Sequence, residues 1–208
     1  MSDEISLSGY SPYATLVSNA CPEAVKVIRQ LNIPPEVSSQ AVENYYKYET
    51  EKLRTKRKTW RVFLYVYMAY NDLDNPVDPI YVANLIGMNT KEIEQAFNDS
   101  NVQIIIDPAK LSRYYINSIN NNLIDTKLDI DSIQQHVKTI IETCSRKPSG
   151  KEFIENNPAK NVCVGIICFF LLDYSSLNIP KDIFEQSCCL SWACINKYRI
   201  QISEYYNS

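Results

Sequence analysis

Two apolar runs in this chain superpose on each other at a shift of 102 residues, and neither has a polar face. The first is Val62-Phe-Leu-Tyr-Val-Tyr-Met-Ala-Tyr70 and the second spans Val162 to Leu172. Laying the chain on itself at that shift, without a gap, places Val62 on Val164, Leu64 on Ile166 and Val77 on Ile179. The same register puts Val82 on Phe184, Met88 on Leu190, Asn89 on Ser191 and Ile93 on Ile195. Apolar positions and helix-capping positions therefore agree together, which is the mark of an internal repeat.

Propensity alone makes the first run a strand, because it is rich in β-branched and aromatic residues. Its setting decides for helix. Amphipathic helical patterns flank it, and through Lys58-Thr-Trp-Arg61 it extends to about 14 residues, long for a strand. A helix without a polar face has to be wrapped by others on every side, so each run is expected at the centre of a helical unit. Composition agrees: the chain has only four Gly, the residue that supplies hairpin turns, Rossmann fingerprints and phosphate loops.

Around the first run, Ala24, Ile28 and Leu31 recur at helical spacing up to the Pro34-Pro35 break. A second helix then carries Val37, Ala41, Tyr45 and Tyr48 on one face, with Ser38, Ser39, Glu43 and Asn44 read as turned away. After the run, Pro79 to Ile86 forms a short helix closed by Gly87. The next helix is capped by Asn89, with Glu92 completing a capping box and Ile93 and Phe97 inward. Two short helices so joined make a helix-turn-helix. In the second half, Leu111, Tyr115 and Ile119 share one face, and Ile133, Val137, Ile140 and Cys144 another. The expected fold is all-α, with two tandem five-helix domains: an extended tail over 1–19, a first domain over 20–104 and a second over 105–208.

A tandem pair of five-helix units with a buried third helix resembles the cyclin fold, and within it the core of transcription factor IIB. Leu31-Asn-Ile-Pro-Pro-Glu-Val37 is similar to that family's approach to its second helix. Arg54-Thr-Lys-Arg-Lys-Thr-Trp-Arg-Val62 resembles its basic loop before the central helix, and Ile86-Gly-Met-Asn-Thr-Lys-Glu-Ile-Glu-Gln-Ala-Phe97 its repeat signature. The likeness covers Cys21 to Tyr206 and implies a transcription-initiation factor that bridges promoter DNA or TATA-binding protein and RNA polymerase. The family's N-terminal zinc ribbon is missing, Asn196 stands where a basic side chain usually meets DNA, and Tyr198 comes one residue before the usual closing aromatic, leaving Arg199 in its place. The abundance of Asn, Ile, Lys and Tyr suits a divergent version, such as those of large DNA viruses or AT-rich eukaryotic genomes.

Seven Cys and one His, without a Cys-x-x-Cys pair, do not make a zinc site, and buried free thiols in a reducing compartment are expected. His136 alone supplies no general base for an acid-base pair and is read as a surface or boundary residue; Asp129 and Asp131 are read as helix-start residues. The expectation is a non-enzymatic protein with neither cofactor nor metal. With no signal peptide or apolar run of membrane-spanning length, the location expected is intracellular. The resemblance narrows it to the nucleus or, for a virus, to the cytoplasmic factory or virion.

Charge is unevenly placed. From Lys47 to Arg61, seven basic residues oppose Glu49 and Glu51, a local charge of +5 in a chain whose net charge is −3. Lys52, Arg54, Lys56, Arg57, Lys58 and Arg61 can replace counterions along a phosphate backbone. They can equally be a solvated helix end, since basic residues favour helix C-termini. The second candidate surface is the C-terminal helix-turn-helix, with Lys181 on its first helix and Trp192, Asn196, Lys197 and Arg199 on its second. Arg or Lys there can reach guanine and Asn can pair with adenine. The acidic balance places DNA contact in complexes with partners. Two other functions fit the same fold: a cyclin-like subunit that activates a kinase, and a structural subunit of a transcription complex that makes no DNA contact.

Overall fold

The computed structural model describes residues 22–49, 58–100, 106–124 and 126–208, and all regular structure among them is helical. Eleven α-helices follow in order: α1 (Glu23–Gln30), α2 (Pro35–Glu49), α3 (Lys58–Asp72), α4 (Pro79–Leu85), α5 (Thr90–Asp99), α6 (Pro108–Asn122), α7 (Ile130–Ser145), α8 (Pro148–Asn156), α9 (Ala159–Phe169), α10 (Lys181–Cys188) and α11 (Trp192–Asn207). None is long and apolar enough to cross a membrane.

The apolar runs are helices, and both are buried along their length. In α3, Trp60 and every residue from Val62 to Tyr70 is buried; in α9, every residue from Val162 to Phe169 is. Each large side chain removed from water there contributes roughly 1.5–3 kcal/mol, enough to override the strand preference of Val62, Tyr65 and Val66. The last turn of the second run departs from its counterpart: α9 continues through Phe170–Tyr174 as a π-helical turn.

Two hydrophobic clusters result. One is assembled from α1–α5 around α3 and the other from α6–α11 around α9, with Ile106 and Tyr114 packed against both. The second cluster holds six helices where five were expected. The addition is α8, which Pro148 opens and which turns back across the end of α7. That return depends on Gly150, where a Cβ atom would stand 2.2 Å from the Cys144 carbonyl oxygen.

Asn44 is a correction of another kind. Its polarity predicts a place facing solvent, but it is buried and donates from its side-chain amide to Asp72 Oδ2 at 2.8 Å. Residues 37, 41, 44 and 48 form one helical stripe, so its position outweighs its polarity.

The 102-residue register extends to the backbone. Helix α4 begins at Pro79 and α10 at Lys181, α5 at Thr90 and α11 at Trp192, and α3 at Lys58 against Ala159 for α9, one residue earlier. Asn89 and Ser191, the N-caps of α5 and α11, each accept from the backbone N–H three residues on. The described residues with positive φ fall into two pairs at the same spacing: Asp74 (55°) with Ser176 (52°), and Gly87 (72°) with Cys189 (50°).

Candidate nucleic-acid and partner surfaces

The basic segment joins the end of α2 to the start of α3. Lys52, Arg54, Lys56 and Arg57 lie outside the described residues. Of its flanks, Lys47 is exposed, with Nζ 4.9 Å from the Tyr48 ring centroid. Lys58, the first residue of α3, forms an ion pair with Glu23, the first residue of α1. The ammonium holds the Glu23 carboxyl below its ordinary range, through its hydrogen bond first and its charge second. Arg61 is half-buried one turn further into α3, behind the buried Trp60. The ion pair thus fixes the start of α3 beside the start of α1.

At the other end of the chain, Lys181 is exposed at the first position of α10. Cys189 closes that helix in the left-handed conformation. Ser191 then starts α11, its Oγ accepting the Cys194 N–H at 3.4 Å. The two helices are tied further by Glu185, whose Oε1 accepts the Trp192 backbone N–H at 2.6 Å. Trp192 packs against the second cluster, its ring centroid 6.1 Å from that of Phe184. Lys197 is exposed, with its Nζ 5.6 Å from the Tyr198 ring centroid.

Asn196 and Arg199 form a third arrangement. Arg199 donates from Nε to Asn196 Oδ1 at 3.0 Å and from Nη1 to Asp173 in the π-helical turn. The guanidinium, the amide and the carboxylate thus satisfy one another across α11 and the end of α9. One of the two lone pairs of the Asn196 carbonyl oxygen is already taken by Arg199. Of the five residues proposed for this surface, Lys181 and Lys197 are exposed without an inward anchor of this kind.

Sequence reasoning missed a buried cluster where α4, α6 and α9 meet. Asp78 is 4% exposed. Its Oδ1 caps α4 by accepting the Ile80 N–H at 2.8 Å. Its Oδ2 accepts from Tyr115 Oη at 2.5 Å and from Lys160 Nζ at 2.7 Å. Burial, and then the adjacent Asp78 charge, push the Tyr115 phenol far above its ordinary value, so it stays a neutral donor. The same two causes push Tyr114 up to about 12. Beside the cluster runs a groove of about 550 Å³ lined from both sides, by Pro34, Tyr70 and Tyr81 and by Arg113, Tyr114 and Asn117. The Asp78-Pro79 pair is legible as a helix start, but the second use of the carboxylate has no local signal.

The thiols are packing residues. Cys144, Cys163, Cys168 and Cys188 are buried without disulfides. Burial pushes Cys144 up to about 11 and Cys168 and Cys188 up to about 12, with Cys163 well above its ordinary value. A thiol so held is a poor nucleophile and a poor metal ligand. His136 lies at the boundary of the second cluster, its ring stacked on Phe170 at 4.6 Å, and Asp129 caps α7. No family model matches the chain, and no curated protein matches it.

Proposed function

We propose that the chain is a transcription-initiation factor of the IIB-core type: two tandem cyclin-like units, the first meeting a TATA-binding protein or polymerase, the second touching promoter DNA within that assembly. The observation that carries this reading is the backbone register. Two helix starts, one side-chain N-cap and two left-handed positions of the first half recur in the second at the spacing that aligns the side chains. A turn's handedness follows the path of the chain, so its recurrence is independent of the apolar pattern that first gave the spacing.

A reciprocal exchange of bulk supports the same duplication. Phe63 on α3 corresponds to Gly165 on α9, and Ala96 on α5 to Tyr198 on α11. The large residue stands on the central helix in one unit and on the last helix in the other. A Cβ on Gly165 would lie 2.6 Å from the Tyr198 Cβ, so in the second unit the glycine is what lets α9 and α11 approach this closely. On this reading α6, α7, α9, α10 and α11 are the five helices of the second unit and α8 is an insertion.

The test is reconstitution on promoter DNA with TATA-binding protein and polymerase. The protein is expected to join the complex, and charge reversal at Arg54, Lys56 and Arg57 is expected to weaken it and flatten its salt dependence. Binding indifferent to those substitutions and to salt would remove the proposal. A structural subunit without DNA contact is favoured by one observation, the closure of Asn196 and Arg199 onto Asp173. An assembled complex in which this chain never crosslinks to DNA would select that reading.

A further inference from the structure

The buried carboxylate of Asp78 belongs to the first cluster, and both groups that hold its Oδ2 belong to the second: Tyr115 on α6 and Lys160 on α9. A second acid of the same α3–α4 connection, Asp74, pairs with Lys110 on α6, but in the open. The two crossings differ in how much water reaches them. The Lys160 and Asp78 side chains are 18% and 6% exposed, against 47% and 74% for Lys110 and Asp74. Water and salt screen the outer pair. At the inner one, removing either charge strands the other in a dry site.

Asp78 has a second duty, since its other oxygen starts α4, a helix of only seven residues. A helix so short has little stability of its own. One side chain thus serves both the first turn of α4 and the docking of α6 and α9. The repeat does not contain this device twice: Pro180 stands at the position equivalent to Asp78, and Lys58, equivalent to Lys160, pairs within its own cluster. The device is specific to the boundary.

We propose that the Asp78 carboxylate is a latch: gripped by Tyr115 and Lys160, it makes the two clusters unfold and move as one body and holds the groove between them at one width. Release of the carboxylate uncouples the clusters at the α4–α6 boundary without dissolving either core.

The molecule carries its own probes for this, because its two tryptophans lie one in each cluster: Trp60 in the first and Trp192 against the second. Trp60→Phe and Trp192→Phe give full-length chains whose fluorescence reports one cluster at a time. In the otherwise native chain the two reporters are expected to lose signal at the same urea concentration. In Asp78→Asn and in Lys160→Met, which keeps the aliphatic stem, the midpoints are expected to separate by roughly 0.5 M or more. Asp74→Asn is expected to leave them together. Tyr115→Phe, which removes one donor and no charge, gives a smaller separation and serves if a charge variant does not fold. Midpoints that already differ in the native chain would overturn the latch, as would midpoints that fall together in every variant.

Discussion

Lys58 and Lys160 occupy the same position in the two halves of the chain, yet one is ornamental and the other is structural. Each stands within two residues of the start of a buried central helix, and each meets an acid. Lys58 reaches Glu23 at the surface, where the partners are 41% and 78% exposed. Lys160 reaches Asp78 in the interior. The side chain and its register are alike, so the difference comes from what was laid over the helix start: solvent in the first half, the connector of the other cluster in the second.

The comparison breaks most easily at the buried pair. Lys160→Ala or Asp78→Ala is expected to lower the free energy of unfolding by about 3–5 kcal/mol, the ordinary cost of stranding one buried charge. Lys58→Ala is expected to leave denaturant unfolding unchanged within error. Equal losses at the two lysines would mean that burial is not what separates them.

Alkaline titration sharpens the contrast between the halves. The folded-state values of Cys144, Cys168 and Cys188 lie above the ordinary thiol value. The stability they contribute is therefore complete below about pH 9 and is lost as pH rises toward the folded values. Among the described residues every Cys belongs to the second half. Circular dichroism and the Trp60 and Trp192 reporters are expected to lose signal together between pH 9 and 12 in the native chain, with Trp192 leading only once the latch is opened by Asp78→Asn.

Next in size is the close crossing of α9 and α11. Gly165→Ala is expected to cost about 1–3 kcal/mol, because the added methyl meets the Tyr198 Cβ and backbone. In a double-mutant cycle with Tyr198→Ala the costs should fall short of additivity, since removing the ring lets the helix backbone shift. Strict additivity would detach the glycine from the tyrosine.

The smallest effects belong to the paired left-handed caps. Gly87→Ala is expected to cost about 1 kcal/mol and Cys189→Gly to gain a few tenths to about 1 kcal/mol, read as opposite shifts of the thermal midpoint. Cys189 is the one position of the two where a side chain is held at positive φ on a helix end. Two shifts of the same sign would separate the caps in kind.

What was legible in the sequence was periodic, local or repeated. The faces of α6 and α7, the capping box at Asn89 and the Gly87 cap all lie where spacing and residue chemistry put them. Val62 to Tyr70 is helical because tertiary wrapping overrides strand preference. Asn44 was misread because polarity was given priority over its place in the stripe. Helix α8 has no signature of its own in the sequence, because nothing local marks Gly150 as the site of a close approach to the Cys144 carbonyl. Of the candidate surface, the helix-turn-helix and the positions of Lys181 and Lys197 were readable. The locking of Arg199 to Asp173 and the grip of Lys160 on Asp78 were not, since they join residues 26 and 82 positions apart and no local pattern encodes which charges meet.

The uneven distribution of cysteine has a practical side. A maleimide applied to the native chain meets Cys189 at the surface, while four other thiols become accessible only when the helices around α9 part. Mass spectrometry of the modified peptides would thus time the breathing of that half, a clock built in where, among the described residues, the interior around α3 has none.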